Sequence, residues 1–217
     1  PSITAEEAPR LKPFVKLAEC LGAFVGQVTE EPIQEVEILF DGSTASMNTK
    51  ALISATLAGL IRPQVAEVNM VSAPIMAKER GIMLSEIKRD KSGMFDGYIK
   101  LTVKTASQTR SIAGTCFSDG KPRFIQIKGI NLDAEVGRYM LYTTNADAPG
   151  IIGLLGTLCG KHEVNIANFQ LGRNRPGGDA IALLYLDKPF PQGALAEIRA
   201  NPKFQSAKRL EFDVAEA

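Results

Sequence analysis

Apolar side chains recur three or four apart at Leu11, Phe14, Leu17, Ala18 and Leu21, which predicts an amphipathic helix over residues 6–24. Pro9 stands near its start, and Gly22 and Gly26 near its end. Val36, Ile38 and Phe40 then alternate with Glu35 and Glu37, the pattern of a strand over residues 33–40, ended by Asp41-Gly42. A second helix follows Asn48 and carries Leu52, Ile53, Leu57, Leu60 and Ile61. It must stop by Arg62, because Pro63 disfavours helical geometry in the residue before it. A shorter helix is expected over residues 73–80, closed by Gly81. Four strands come next, over residues 84–88, 98–104, 110–117 and 123–128, with Asp119-Gly120 as a tight hairpin signal.

Residues 131–137 are polar, and a new alternating register begins at Arg138. This divides the chain into residues 1–136, with 1–28 as a leading helical segment, and residues 137–217. In the second part the pattern predicts strand 139–144, helix 151–160, strand 164–172, strand 180–186, helix 193–200 and strand 208–214. Pro176-Gly177-Gly178 lies in the hairpin loop 173–179, and Leu210, Phe212 and Val214 face inward. The order strand-helix-strand-strand-helix-strand, in so few residues, implies a ferredoxin-like sandwich with both helices on one face of an antiparallel sheet. The whole chain is therefore α+β, a mixed α/β domain followed by a ferredoxin-like one. The second sheet leaves a face and an edge in need of cover, which side-by-side dimerisation would provide.

With 217 residues, 45% hydrophobic and 23% charged, the composition is that of an ordinary globular protein. No apolar run is long enough to span a bilayer. Its 25 basic and 24 acidic residues are interspersed, without a basic block or aromatic stripe, which argues against nucleic acid as a partner. Cys20, Cys116 and Cys159 are odd in number and far apart, suggesting neither a disulfide framework nor a metal cluster, but reduced thiols in the cytoplasm. The opening at Pro1, with no initiator methionine, reads as a cut from something longer.

Asn145-Ala-Asp147-Ala-Pro149-Gly150, followed by Ile151-Ile152-Gly153 and later Val164-Asn165-Ile166, resembles the signature of an ACT domain, an effector-binding module of amino-acid metabolism. Upstream, Val68-Asn69-Met70-Val71-Ser72-Ala73-Pro74, Ala113-Gly114-Thr115 and Pro122-Arg123-Phe124-Ile125 resemble the intervening domain of long-form D-3-phosphoglycerate dehydrogenases. The opening Pro1-Ser2-Ile3-Thr4-Ala5-Glu6-Glu7-Ala8 and Leu21-Gly22-Ala23-Phe24 are similar to the segment just after the substrate-binding domain in that family. The resemblance implies a regulatory and oligomerisation region. Its parent enzyme would oxidise 3-phosphoglycerate with NAD and take feedback from L-serine bound between ACT domains of a homo-oligomer. No cofactor, metal or catalytic residue is expected in this region: no G-x-G-x-x-G follows a strand, and His162 has no catalytic constellation around it.

Pro149-Gly150 permits a sharp turn that presents the backbone N–H groups of the next helix, and a helix N-terminus attracts a carboxylate. Asp147 can accept an ammonium group, and Asn145 and Asn165 supply amide donors and acceptors. Taken alone, Asp147 and Pro149-Gly150 read as a helix cap. The resemblance makes Asn145, Asp147, Pro149, Gly150, Ile151 and Asn165 effector contacts, with Asn165 reaching the effector held by a second subunit. The glycines 150, 153, 156 and 160 fit no phosphate-loop spacing and are read as permitting close helix packing. For a phosphorylated acid, Arg123 matches a basic position of the family; Arg138 stands near others, while Glu135 and Tyr185 replace arginines found in some members. Fewer cations weaken phosphate affinity. Two alternatives stay open: an effector-insensitive interaction scaffold, and the regulatory part of an L-serine dehydratase.

Overall fold

Thr4 and Glu7 begin the folded chain by capping each other: the Thr4 N–H and hydroxyl both donate to the Glu7 carboxylate, and the Glu7 N–H donates back to Thr4 Oγ1. Helix α1 (Ala8–Val28) comes next, with Pro9 in its first turn, where a missing N–H costs nothing. The computed structural model describes residues 3–90 and 93–215; Pro1 and Ser2, at the head of the leading segment, lie outside them. The chain divides into two compact units, residues 1–128 and 129–217.

The first unit continues with β1 (Glu35–Gly42), a short 3-10 turn, α2 (Thr49–Ile61), α3 (Ala73–Glu79), β2 (Met83–Arg89), β3 (Gly97–Lys104), β4 (Thr109–Cys116) and β5 (Pro122–Ile127). Asn48 caps α2, its side chain accepting from the Ala51 N–H. The strands run in the order β2-β1-β3-β4-β5, with β1 and β2 parallel and the other neighbours antiparallel. Val36, Ile38 and Phe40 of β1 are fully buried, and the alternate positions Glu35, Glu37 and Leu39 are not.

Helix α1 runs through Gly22 and Gly26 rather than ending there. A Cβ at Gly22 would strike the Thr56 carbonyl and the Leu60 N–H of α2, and one at Gly26 the Leu60 carbonyl. Gly59 of α2 meets the Glu19 carbonyl of α1 in the same way. The glycines therefore let two helices touch backbone to backbone. A further glycine, Gly114 of β4, receives Leu17 and Leu21 from α1, and Phe24 meets Phe124 edge-on with ring centroids 5.7 Å apart.

The second unit opens where the sequence pattern suggests only a polar linker. Lys128 and Gly129 both have positive φ, the conformation of a tight turn, and a strand, β6 (Ile130–Glu135), succeeds them. Next come β7 (Tyr139–Ala146), α4 (Ile151–Lys161), β8 (Ile166–Arg173), β9 (Asp179–Leu186), α5 (Gln192–Ala200) and β10 (Phe204–Glu211). The last strand starts and ends earlier than expected: Ala207 and Leu210 are buried in it, and Phe212 is buried just beyond it. The order is β10-β7-β9-β8, antiparallel throughout, which is the split βαβ arrangement the pattern implies. Leu141, Ala182, Leu184 and Ala207 on one face of this sheet form a core with Ile151, Leu155 and Cys159 of α4 and Ala194, Leu195 and Ile198 of α5. Gly137 is required beside the Tyr185 ring, which a Cβ there would overlap. Among the described residues no helix is long and apolar enough to cross a membrane.

Candidate functional site

Alternation along β7 places Leu141, Thr143 and Asn145 on the face that the helices cover. Thr143 is fully buried and Asn145 is 1% exposed. Asn145 Nδ2 donates to the Ala146 carbonyl at 2.7 Å, but among the described residues Asn145 Oδ1 and Thr143 Oγ1 have no hydrogen-bond partner. Two uncompensated oxygens in one strand are unusual, since a buried polar group without a partner costs about 1–3 kcal/mol.

The chain leaves β7 through Asp147 and reaches Gly150, whose φ of +92° suits only a residue without a side chain. Gly150 begins α4, its carbonyl accepting from the Leu154 N–H at 2.9 Å. Among the described residues no side chain caps this helix, so the first N–H groups of α4 are left for water or a ligand. Ile151 is buried in the core and holds the helix start in place, while Pro149 is exposed.

Asp147 is already engaged. Its Oδ2 accepts from the Gly177 N–H at 3.0 Å and from Arg173 Nη1 at 2.7 Å, and its own N–H donates to the Gly178 carbonyl. The Gly177 N–H and then the Arg173 guanidinium hold the Asp147 carboxyl below the usual carboxylate range. Asp147 thus fastens the 173–179 hairpin loop to the end of β7, a role that sequence spacing concealed.

Asn165 lies elsewhere. It is exposed, and its Nδ2 donates to Asp187 Oδ2 at 2.8 Å. Along β9, Asn145 is opposite Ala180 and the residue after Asn165 is opposite Leu186, a separation of roughly 20 Å at strand rise. One chain therefore does not unite Asn145 with Asn165.

Arg123 and Arg138 belong to different units. The Arg123 guanidinium lies over the Phe117 ring at 4.4 Å and 3.9 Å from Asp119 Oδ2. That of Arg138 lies 5.1 Å from the Tyr139 centroid and 3.8 Å from Glu211 Oε1.

Between α4 and α5 runs a groove of about 540 Å³ bounded by Gly150, Leu154, Leu158, Ile198, Lys203 and Phe204. Cβ atoms at Gly153, Gly156 or Gly160 would meet nothing within 4 Å, which corrects the expectation that these glycines serve close packing. At the far end of α4, His162 and Lys161 both engage Glu197, each at 3.0 Å. No group of three or more His, Cys, Asp or Glu side chains suited to a metal occurs among the described residues.

The family described as the D-3-phosphoglycerate dehydrogenase intervening domain matches residues 10–128. A D-3-phosphoglycerate dehydrogenase of Synechocystis sp. is 38% identical over 91% of this chain and 36% of its own length. That of Bacillus subtilis is 33% identical over 98% of this chain and 41% of its own, and that of Methanocaldococcus jannaschii 32% over 94% and 39%. The chain thus spans well under half of the relatives it resembles. Because the match runs from within α1 to the turn at Lys128, nearly all of the first unit and more than half of the chain, the chain belongs to the D-3-phosphoglycerate dehydrogenase intervening-domain family.

Proposed function

We propose that this chain is a regulatory and oligomerisation region of a cytoplasmic, NAD-dependent phosphoglycerate dehydrogenase, and that its second unit is an ACT domain that binds L-serine as a feedback effector between two copies. The observation that carries the reading is Asn145 Oδ1, buried without a partner at the end of the strand that leads into the uncapped start of α4. A small amino acid offers what such a place lacks. Its carboxylate suits the N–H groups of α4, and its ammonium or hydroxyl donors suit Asn145 Oδ1 and the free Oδ1 of Asp147. Asn165 of a second copy completes the set, which explains why one chain separates it from Asn145. Serine bridging two copies then shifts the population of subunit arrangements in the parent enzyme. The NAD and 3-phosphoglycerate sites belong to the part of the parent that this chain does not span.

Calorimetric titration of the chain with L-serine is the test, with D-serine, glycine and 3-phosphoglycerate as comparisons and Asn145→Ala as the control variant. Heat with L-serine at millimolar concentration, lost in the variant, is the expected outcome. A correctly folded chain that stays silent toward L-serine refutes the effector reading.

The engagement of Asp147 by Arg173 and Gly177 favours a second reading, an effector-insensitive scaffold in which the motif only ties the hairpin loop to β7. In that case Asp147→Ala lowers the melting temperature of the second unit, and no amino acid raises it.

A further inference from the structure

Strand β2 ends the sheet of the first unit, and residues 83–88 are all exposed, Met83 by 64%, Leu84 by 44% and Ile87 by 39%. Edge strands are ordinarily guarded, because their unpaired N–H and C=O groups template pairing with another chain. Here one end of β2 is anchored. Arg89 binds the Asp41 carboxylate on β1 and donates to Tyr98 Oη on β3. The rest of the outer edge has no strand beside it among the described residues.

We propose that this edge pairs antiparallel with the same edge of a second copy, about a two-fold axis through Ile87. The backbone restricts the choices. Met83 donates its N–H to the Gln34 carbonyl, so the odd-numbered residues of β2 turn their backbone groups toward β1, and Leu84, Glu86 and Lys88 turn theirs outward. A symmetric pair must match outward residues with outward residues, which leaves three central registers. Centred on Glu86, two carboxylates meet directly. Centred on Ser85, Glu86 faces Leu84 of the partner and Lys88 faces Ile82. Centred on Ile87, Glu86 faces the partner's Lys88 and Lys88 the partner's Glu86, both as hydrogen-bonded pairs, while Ile87 packs on its own symmetry mate. Only this register satisfies both charges.

Glu86 and Lys88 already sit on one face of β2 with Oε1 and Nζ 3.5 Å apart, so pairing would close four alternating charges into a ring. The strand is short, and its edge alone buries less than a permanent dimer needs. The association is therefore reversible and concentration-dependent. It joins first units to first units, independently of any effector contact between second units.

Cysteine substitution reads the register directly. In the proposed pair, position 87 faces itself as a non-hydrogen-bonded pair, with Cα atoms about 4.5 Å apart, within reach of a disulfide. Ile87→Cys should therefore cross-link to a covalent dimer under mild oxidation at least about tenfold faster than Ser85→Cys, Glu86→Cys or the parent chain with its own three cysteines. Adding Lys88→Glu to Ile87→Cys should slow the linking, and adding Glu86→Lys as well should restore it. The proposal is overturned if position 87 links no faster than 85 or 86, or if Lys88→Glu leaves the rate unchanged.

Discussion

The two units spend glycine in opposite ways. In the first, Gly22, Gly26 and Gly59 are crowded, each standing where a neighbouring helix backbone would collide with any side chain. In the second, Gly153, Gly156 and Gly160 line α4 with nothing near them. The first unit is thus built for rigid packing, with α2 buried on nearly every side. The second gathers Asn145 Oδ1 and Thr143 Oγ1, both unpartnered among the described residues, on the strand that leads to the start of α4, with an open groove beside that helix. The crowded glycines mark what must not move, and the open ones mark where something else can come near.

The strongest challenge to this contrast is Gly22→Val, which forces α1 from α2. It should destabilise the first unit by about 3 kcal/mol in urea denaturation, leaving the second unit's transition in place. Next, Asn145→Ala should lower L-serine affinity by about tenfold or more in calorimetry, since a ligand donor loses its acceptor. Thr143→Val removes a buried hydroxyl at nearly constant shape. It should stabilise the second unit by about 1 kcal/mol, and a loss instead would mean that Oγ1 is compensated after all. Gly156→Ala should raise thermal stability by about 0.5–1 kcal/mol, because the methyl enters open space; a decrease would break the contrast.

The last prediction concerns pH. The Asp147 carboxyl is held below its unfolded value of about 3.9, so its contribution is present above that value and disappears as pH falls through the lower folded one. An NMR titration should therefore show the Arg173 and Gly177 contacts intact from neutral pH down to about pH 4 and released below it, and Asp147→Asn should abolish the transition.

What could be read from the chain depended on how local the cause was. Asn48 announced α2 because a cap acts on an N–H three residues away. The helices and strands around Val36–Phe40 and Tyr139–Thr144 were visible in their periodicity. Strand β6 is not legible although Ile130 and Ala134 are buried, because Asn131, Asp133 and Glu135, which alternate with the apolar positions, are residues that strands disfavour. Gly22 and Gly26 read as a helix end, for nothing local reveals that a second helix lies against them. The Asp147–Pro149-Gly150 motif is legible as a turn, whereas the binding of Asp147 to Arg173 joins residues on either side of α4 and depends on the assembled sheet.

The strand order of the second unit also bears on how the chain is made. Thr144 of β7 meets Ser206 of β10 across 62 residues of sequence, at 2.6 Å. At ribosomal speed that interval lasts roughly 3–12 s, during which β7 waits with one edge bare. Strands β1 to β5 have emerged once residue 127 has, so the first unit can begin to fold while the rest is still being synthesised. A pause in translation before β10 would therefore leave a finished first unit carrying an unfinished second one, which is the form in which a chaperone would most need to hold it.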